Sequence, residues 1–373
     1  MADELKRTAL HAWHREHGAR MGPFAGWDMP LQYEAGAVSE HRAVREQAGL
    51  FDISHMGQVD IRGADAAEFL DYVLSNDVLE LPEGLSTYCL MCREDGGVLD
   101  DVFVYRLPDR FYVVVNASNT EKDVAWLKNA AAQTSFDVEI TNQSYETSMF
   151  ALQGPAALEV FSRAGGKAES ELSRFAIDYD TVGASRCLVS RTGYTGEDGV
   201  EIYVWNDDAP ALWERLLQAG SYLEGGLQPV GLAARDSLRF EPGFALYGHE
   251  LDEHTTPPEA RLKWACHFDR PFIGRDAILK EIENGLSKKL VTVRMVDRGM
   301  LREGYEVHAP EGEQIGSVVT GMYSPTLEWY YGNAYVIPSF AKTGTALEIR
   351  IRGRSRRAEV VKRPLYRPAY KSS

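Results

Sequence analysis

Apolar residues recur along this chain at two spacings, which exchange places several times. A helical period opens the sequence and returns over residues 39–47, 65–74 and 121–132, where Ser118 and Glu121 are spaced as a capping box ahead of the last helix. Between these lie short alternating runs at 58–61, 98–105, 111–115, 148–152 and 187–190, each bounded by turn residues and each read as a strand. Helices mixed with hairpins in this way predict an α+β core, not a regular strand–helix alternation. Beyond about residue 285 the helical period disappears. Alternating segments such as Leu290-Val-Thr-Val-Arg294, Ile315-Gly-Ser-Val-Val-Thr320 and Leu347-Glu-Ile-Arg-Ile-Arg352 then predict a compact β-barrel or sandwich. At 373 residues the chain exceeds a single-core size. We expect one module over residues 1–275 and a barrel over 285–373, with Pro257-Pro258 and the loop at 269–274 as linker candidates.

The same alternation singles out three carboxylates. In Arg191-Thr-Gly-Tyr-Thr-Gly-Glu-Asp-Gly-Val-Glu-Ile-Tyr203 a glycine-punctuated turn runs into a strand. Val200, Ile202 and Val204 share one face, so Glu201 and Tyr203 point to the other, which is left free for chemistry. Glycines at 193, 196 and 199 precede a strand, at the wrong spacing for a dinucleotide fingerprint. After the hairpin turn Asp95-Gly-Gly97, Asp100 falls on a face with Val98, Val102 and Val104, and Asp101 on a face with Leu99, Phe103 and Tyr105. Adjacent strand residues project oppositely, so the two cannot act as a paired acid and base, and the pattern does not choose between them.

Composition narrows the class. With 44% hydrophobic and 25% charged residues the chain reads as globular, and its net charge of −15 disfavours nucleic acid as a partner. An apolar run of 18 residues is absent and the first residues lack a signal-like core, so a cytoplasmic protein with no membrane contact is expected. The four cysteines fit a reducing compartment. Cys89 and Cys92 have no second pair to complete a metal site, so no metal is expected. His11, His14 and His17 read as a solvated helix face. Residues 350–371 carry Arg350, Arg352, Arg354, Arg356, Arg357, Lys362, Arg363, Arg367 and Lys371 against one acid, Glu359. Such a segment either protects a strand edge or steers an acidic partner or an anionic ligand tail.

The Arg191–Tyr203 segment resembles the signature of the aminomethyltransferase family, the T-protein of the glycine cleavage system. Blocks in the same order agree: Gly26-Trp-Asp-Met-Pro-Leu-Gln-Tyr33, Gly49-Leu-Phe-Asp-Ile-Ser-His-Met56, Gly96-Gly-Val-Leu-Asp-Asp101 and Gly231-Leu-Ala-Ala-Arg-Asp-Ser-Leu-Arg239. Leu246-Tyr-Gly-His249, Thr255-Thr-Pro257 and Ser324-Pro-Thr-Leu327 extend the likeness over residues 8–370. The resemblance implies two interlaced α+β lobes and a C-terminal β-barrel around a folate cavity. It implies transfer of a one-carbon unit from an aminomethyl-dihydrolipoyl carrier protein to tetrahydrofolate, with ammonia released.

It assigns Asp100 as the catalytic carboxylate, Glu201 as the pterin anchor and Arg235 as a folate contact. Tyr88, Met56, Asn116, Trp264 and Tyr370 follow as further contacts, although the spacing around Pro364 and Pro368 departs from the family before Tyr370. A second enzymatic reading keeps the folate site but takes a sulfonium, amine or methoxy donor, as related demethylases do. The aromatic run Glu328-Trp-Tyr-Tyr-Gly-Asn333 is the departure that suggests it. A non-enzymatic folate-binding factor is disfavoured, because the cysteine of that group's motif is Gly193 here.

Overall fold

A computed structural model describes residues 4–167, 171–368 and 370. Among these, two β-sheets face each other and a closed barrel sits against them. The six-stranded sheet has the order Ile177–Val182, Ser185–Ser190, Gly199–Trp205, Thr147–Gln153, Gly49–Asp52, Gln228–Pro229. The five-stranded sheet runs Ser86–Cys92, Val98–Leu107, Arg110–Val115, Gly57–Arg62, Glu139–Asn142. The chain leaves the first sheet after Gly49–Asp52, builds the whole of the second, and returns at Thr147–Gln153. That insertion is what interlaces the two α+β lobes.

Alternation sets the layers. Val200, Ile202 and Val204 pack against Leu212, Trp213 and Leu216 of the helix Ala209–Ala219, each buried side chain contributing about 1.5–3 kcal/mol. On the opposite face Tyr203 meets Tyr105 and Tyr112 of the five-stranded sheet. That sheet's outer face, through Val102 and Val104, is covered by the helices Ala66–Val73 and Thr120–Ala132. The strand Gly199–Trp205 is therefore buried on both sides up to Trp205, and the face expected to be open at Glu201 is an interior one.

Several local expectations are corrected. The helix Thr120–Ala132 takes Asn119 as its N-cap without a side-chain cap, and Ser118 is exposed. Asn119 instead donates its amide to Asp100, and Glu121 accepts from Tyr145. His11 and His14 are buried, not solvated: the short helix His11–Glu16 packs on Trp213, and His14 links Tyr33 and Asp52 at 2.8 Å each. Pro257 and Pro258 are buried, and Arg270 is pinned to the carbonyls of Asp71, Leu74 and Asn76, so neither segment is a loose linker.

The barrel closes in the order Lys289–Met295, Trp329–Val336, Gln314–Ser324, Glu306–His308, Ala346–Ile351, Arg354–Val361. Val291, Val293, Val318, Ile349 and Val360 fill it. Its arginine-bearing strands Ala346–Ile351 and Arg354–Val361 are paired on both sides, so edge protection does not explain those charges. Lys371 lies outside the described residues. No described helix is long and apolar enough to cross a membrane.

Candidate active site

Where the sheets and the barrel meet, a cavity of about 690 Å³ opens. Tyr88, Asp101 and Phe103 come from the five-stranded sheet, and Thr192 and Tyr194 from the glycine turn. Phe244, Arg261 and Trp264 come from the segment after the helix Leu232–Phe240, and Arg363 and Tyr370 from beyond the last barrel strand.

Of the two adjacent aspartates, the cavity wall receives Asp101. Asp100 faces the outer helices with Val102 and Val104, is 0% exposed, and accepts three hydrogen bonds: from the Asn116 backbone at 2.9 Å, the Asn116 amide at 2.8 Å and the Asn119 amide at 2.8 Å. Asp100, expected as the reacting carboxylate, therefore lies on the face turned away from the cavity, and Asp101 is the one of the pair that lines it. A bulge near Leu99 adds a local change: Met91 pairs with Asp100 and Cys92 with Val98, so Leu99 joins the outer core instead of sharing a face with Asp101.

Asp101 accepts from Tyr88 at 3.0 Å and from the Asn116 amide at 2.9 Å, so one asparagine touches both carboxylates. Burial and the negative charge of Asp100 push the Asp101 carboxyl up to about 7, against the two hydrogen bonds that favour its ionised form. Behind Asp100, the carboxyl of Asp123 is pushed up to about 11 by burial and by Asp100, so it is protonated at neutral pH.

Glu201 and Arg235 stand one layer behind the cavity wall. Thr192 donates to Glu201 at 2.5 Å, and the hydroxyls of Tyr105, Ser190 and Tyr203 extend that network. Burial raises the Glu201 carboxyl, with Thr192 and Arg235 opposing. Arg235 lies over the Tyr194 ring at 4.7 Å, and its buried Nη1 has no hydrogen-bond partner among the described residues. An ion pair with its neighbour Asp236 is not made, since Asp236 binds Arg239 at 2.8 Å.

The other expected contacts divide. Trp264, 66% exposed, stacks on Tyr88 at 5.4 Å and 22°, so both line the mouth. The Tyr370 hydroxyl donates to the Gly196 carbonyl at 2.7 Å, and Arg174 covers its ring at 3.7 Å. Met56 packs into the core between the sheets and does not line the cavity. Asn116 reaches it only through Asp101.

The glycine turn is held by close approach and by charge. A Cβ on Gly193 would lie 1.9 Å from the Gln153 side-chain oxygen, so no side chain fits there without displacing that amide. Arg191 closes the turn on Asp198 at 2.7 Å, and Glu197 binds Arg45 at 2.7 Å. Arg45 continues to Glu241 at 2.9 Å, and Glu241 accepts from Ser324 at 2.6 Å and Thr326 at 2.8 Å of the barrel. This buried chain ties the turn to the barrel.

Cys89 and Cys92 are free, buried thiols, and burial pushes Cys89 up to about 12. No group of three His, Cys, Asp or Glu among the described residues is arranged to hold a metal ion. Trp329 donates to the Met295 carbonyl at 2.6 Å, and Tyr330 packs on Tyr323, so this aromatic run belongs to the barrel and not to the cavity.

The family described as the GCVT N-terminal domain matches residues 10–270, and the glycine cleavage T-protein C-terminal barrel domain matches residues 288–367. The aminomethyltransferase of Symbiobacterium thermophilum is 46% identical, covering 100% of both chains, and that of Caldanaerobacter subterraneus is 45% identical over 99% of this chain and 98% of its own. The chain belongs to the aminomethyltransferase family of glycine cleavage T-proteins. It is an enzyme of that type. The crystal structure of the glycine cleavage system aminomethyltransferase T from Bartonella henselae superposes with a TM-score of 0.91 at 35% identity, covering 98% of this chain and 99% of that one. In this chain Thr192, Tyr194, Arg261 and Arg363 line the cavity although no periodicity marked them. The signal available for the first two was their place inside the glycine turn.

Proposed function

We propose that the cavity binds tetrahydrofolate and that Asp101 handles the proton traffic of one-carbon transfer. The donor is the aminomethyl-dihydrolipoyl arm of a carrier protein, and the products are ammonia, the reduced carrier and 5,10-methylenetetrahydrofolate. Asp101 is the observation that carries this reading: a cavity-lining carboxyl brought near 7 can accept and return a proton at neutral pH, worth ~10²–10⁴-fold in rate.

The chain's own groups fit folate. The Glu201 carboxylate, with Thr192 as a hydrogen-bond donor, keeps acceptor capacity for the parallel N–H donors of a pterin edge. The unpartnered Nη1 of Arg235 supplies a donor for a ligand oxygen or ring nitrogen. Tyr88 and Trp264 offer stacked ring faces for the p-aminobenzoyl group at the mouth. Full-length relatives named for aminomethyl transfer favour the carrier as donor, and Trp329 and Tyr330, which had suggested another donor, lie outside the cavity lining.

Calorimetry tests the site. One-to-one binding of tetrahydrofolate, weakened about five- to tenfold in Trp264→Ala through loss of the stacked face, is expected. Absence of binding, or unchanged affinity in that variant, would remove the assignment.

A further inference from the structure

The basic C-terminal segment has two fates. Arg363 reaches the main cavity, but Arg352, Arg354 and Arg356 sit with Arg298 and Arg302 around a separate cleft of about 570 Å³. The strand Arg354–Val361 separates the two places; its eight residues, at a rise of ~3.3 Å each, span about 25 Å.

None of these five arginines makes an ion pair or a side-chain hydrogen bond among the described residues. The nearby acids are engaged elsewhere: Asp297 by Arg357 at 2.8 Å, Glu359 by Arg294 at 2.7 Å, and Glu348 by Ser355 at 2.5 Å. Five arginines thus converge on one hollow in a chain of net charge −15, without a direct ion pair among the described residues and with Asp297 acting on Arg356 at longer range. Four of the five are exposed, and together they set a local positive potential that attracts an anion. Met300, Ile351 and the half-buried Tyr305 give the hollow an apolar floor.

We propose that this cleft is a binding site for a compact polyanion carrying two or more phosphate groups. Guanidinium forks match phosphate oxygens bidentately, and the volume is that of a small-molecule site. A nucleic acid would need an extended basic track, whereas these arginines surround a hollow on an otherwise acidic chain. A carrier protein docked here would stand about 25 Å from the cavity its arm must enter, by the strand length above. The site is therefore distinct from the folate reading and does not depend on it.

The test is calorimetric titration of the full chain with inorganic tripolyphosphate at fixed ionic strength. Saturable one-to-one binding is expected, unchanged by added tetrahydrofolate, and weakened at least tenfold in a variant carrying Arg302→Ala, Arg354→Ala and Arg356→Ala. Aminomethyl transfer by that variant should equal the parent's. If its melting curve shows misfolding, Arg354→Gln alone replaces it, with a threefold or greater loss expected. Non-saturable binding, equal binding by the variants, displacement by tetrahydrofolate, or saturable binding of RNA but not of tripolyphosphate would each overturn the proposal.

Discussion

Changing Asp101 to Asn removes a titrating carboxyl from the cavity wall while preserving its shape and its hydrogen bond from Tyr88. With the Asp101 carboxyl at about 7, half of the molecules are ionised at pH 7 and about one in a hundred at pH 5. If the ionised form is the competent one, kcat/KM should fall about 100-fold between its alkaline plateau and pH 5. An ordinary carboxylate would leave that range flat. Asp101→Asn should lower turnover ~10²–10⁴-fold, and, because its amide meets one of two donors, the Tyr88 hydroxyl or the Asn116 amide, its stability loss should be smaller than that of Asp100→Asn.

Asp100→Asn is the contrasting variant. Placing an amide N–H among the three donors now aimed at Asp100 should cost about 1–3 kcal/mol of stability. Losing its negative charge should move the acid limb of the pH profile to lower pH, since that charge helps hold the Asp101 proton. The groups facing Asp101 through the cavity and sheet are Tyr88, Asp100 and Tyr194, with Asp123 behind Asp100. The assay is methylenetetrahydrofolate formation from pH 5 to 9 beside a thermal melt of each variant. A flat profile in the parent, or an active Asp101→Asn beside a folded but inactive Asp100→Asn, would exclude Asp101 as the titrating group.

Glu201→Gln should weaken tetrahydrofolate binding by about 1.5–3 kcal/mol, because an amide cannot accept two parallel donors; equal affinity by calorimetry would remove the anchor. Glu241 is held down to about 2, its burial outweighed by His41, Arg45 and Ser324. A depressed carboxylate contributes stability above its unfolded value and loses it as pH falls through the folded one. Glu241 should thus supply about 3 kcal/mol at neutral pH, lost between about pH 4.5 and pH 2. Chemical denaturation of Glu241→Gln should show a loss of that size and a shallower acid limb, and an unchanged limb would contradict the assignment.

Much of the fold was legible in local pattern. The strand predicted at 98–105 is Val98–Leu107, and the alternating segments after residue 285 form the barrel. Interlacing was not legible from spacing, because Thr147–Gln153 pairs with Gly49–Asp52 across about a hundred residues. The histidines near the N-terminus misled for a related reason: charged neighbours imply solvent, yet docking on Trp213 and pairing with Tyr33 and Asp52 bury His14.

At the site, alternation correctly divided Asp100 from Asp101 but could not tell which face would meet the cavity. That depends on whether the outer helices or the second sheet cover each side. Glu201 was found as a lone carboxylate, but its setting behind Thr192 arises from a turn geometry that no period encodes. Arg261 and Arg363 come from irregular segments, where sequence pattern carries least information.

The most direct measurement is ammonia release from aminomethylated lipoyl carrier protein, followed with and without tetrahydrofolate. Ammonia and methylenetetrahydrofolate are expected in equal amounts, dependent on both substrates and abolished by Asp101→Asn. Absence of tetrahydrofolate-dependent ammonia from the parent protein, or undiminished release by Asp101→Asn, would contradict that expectation.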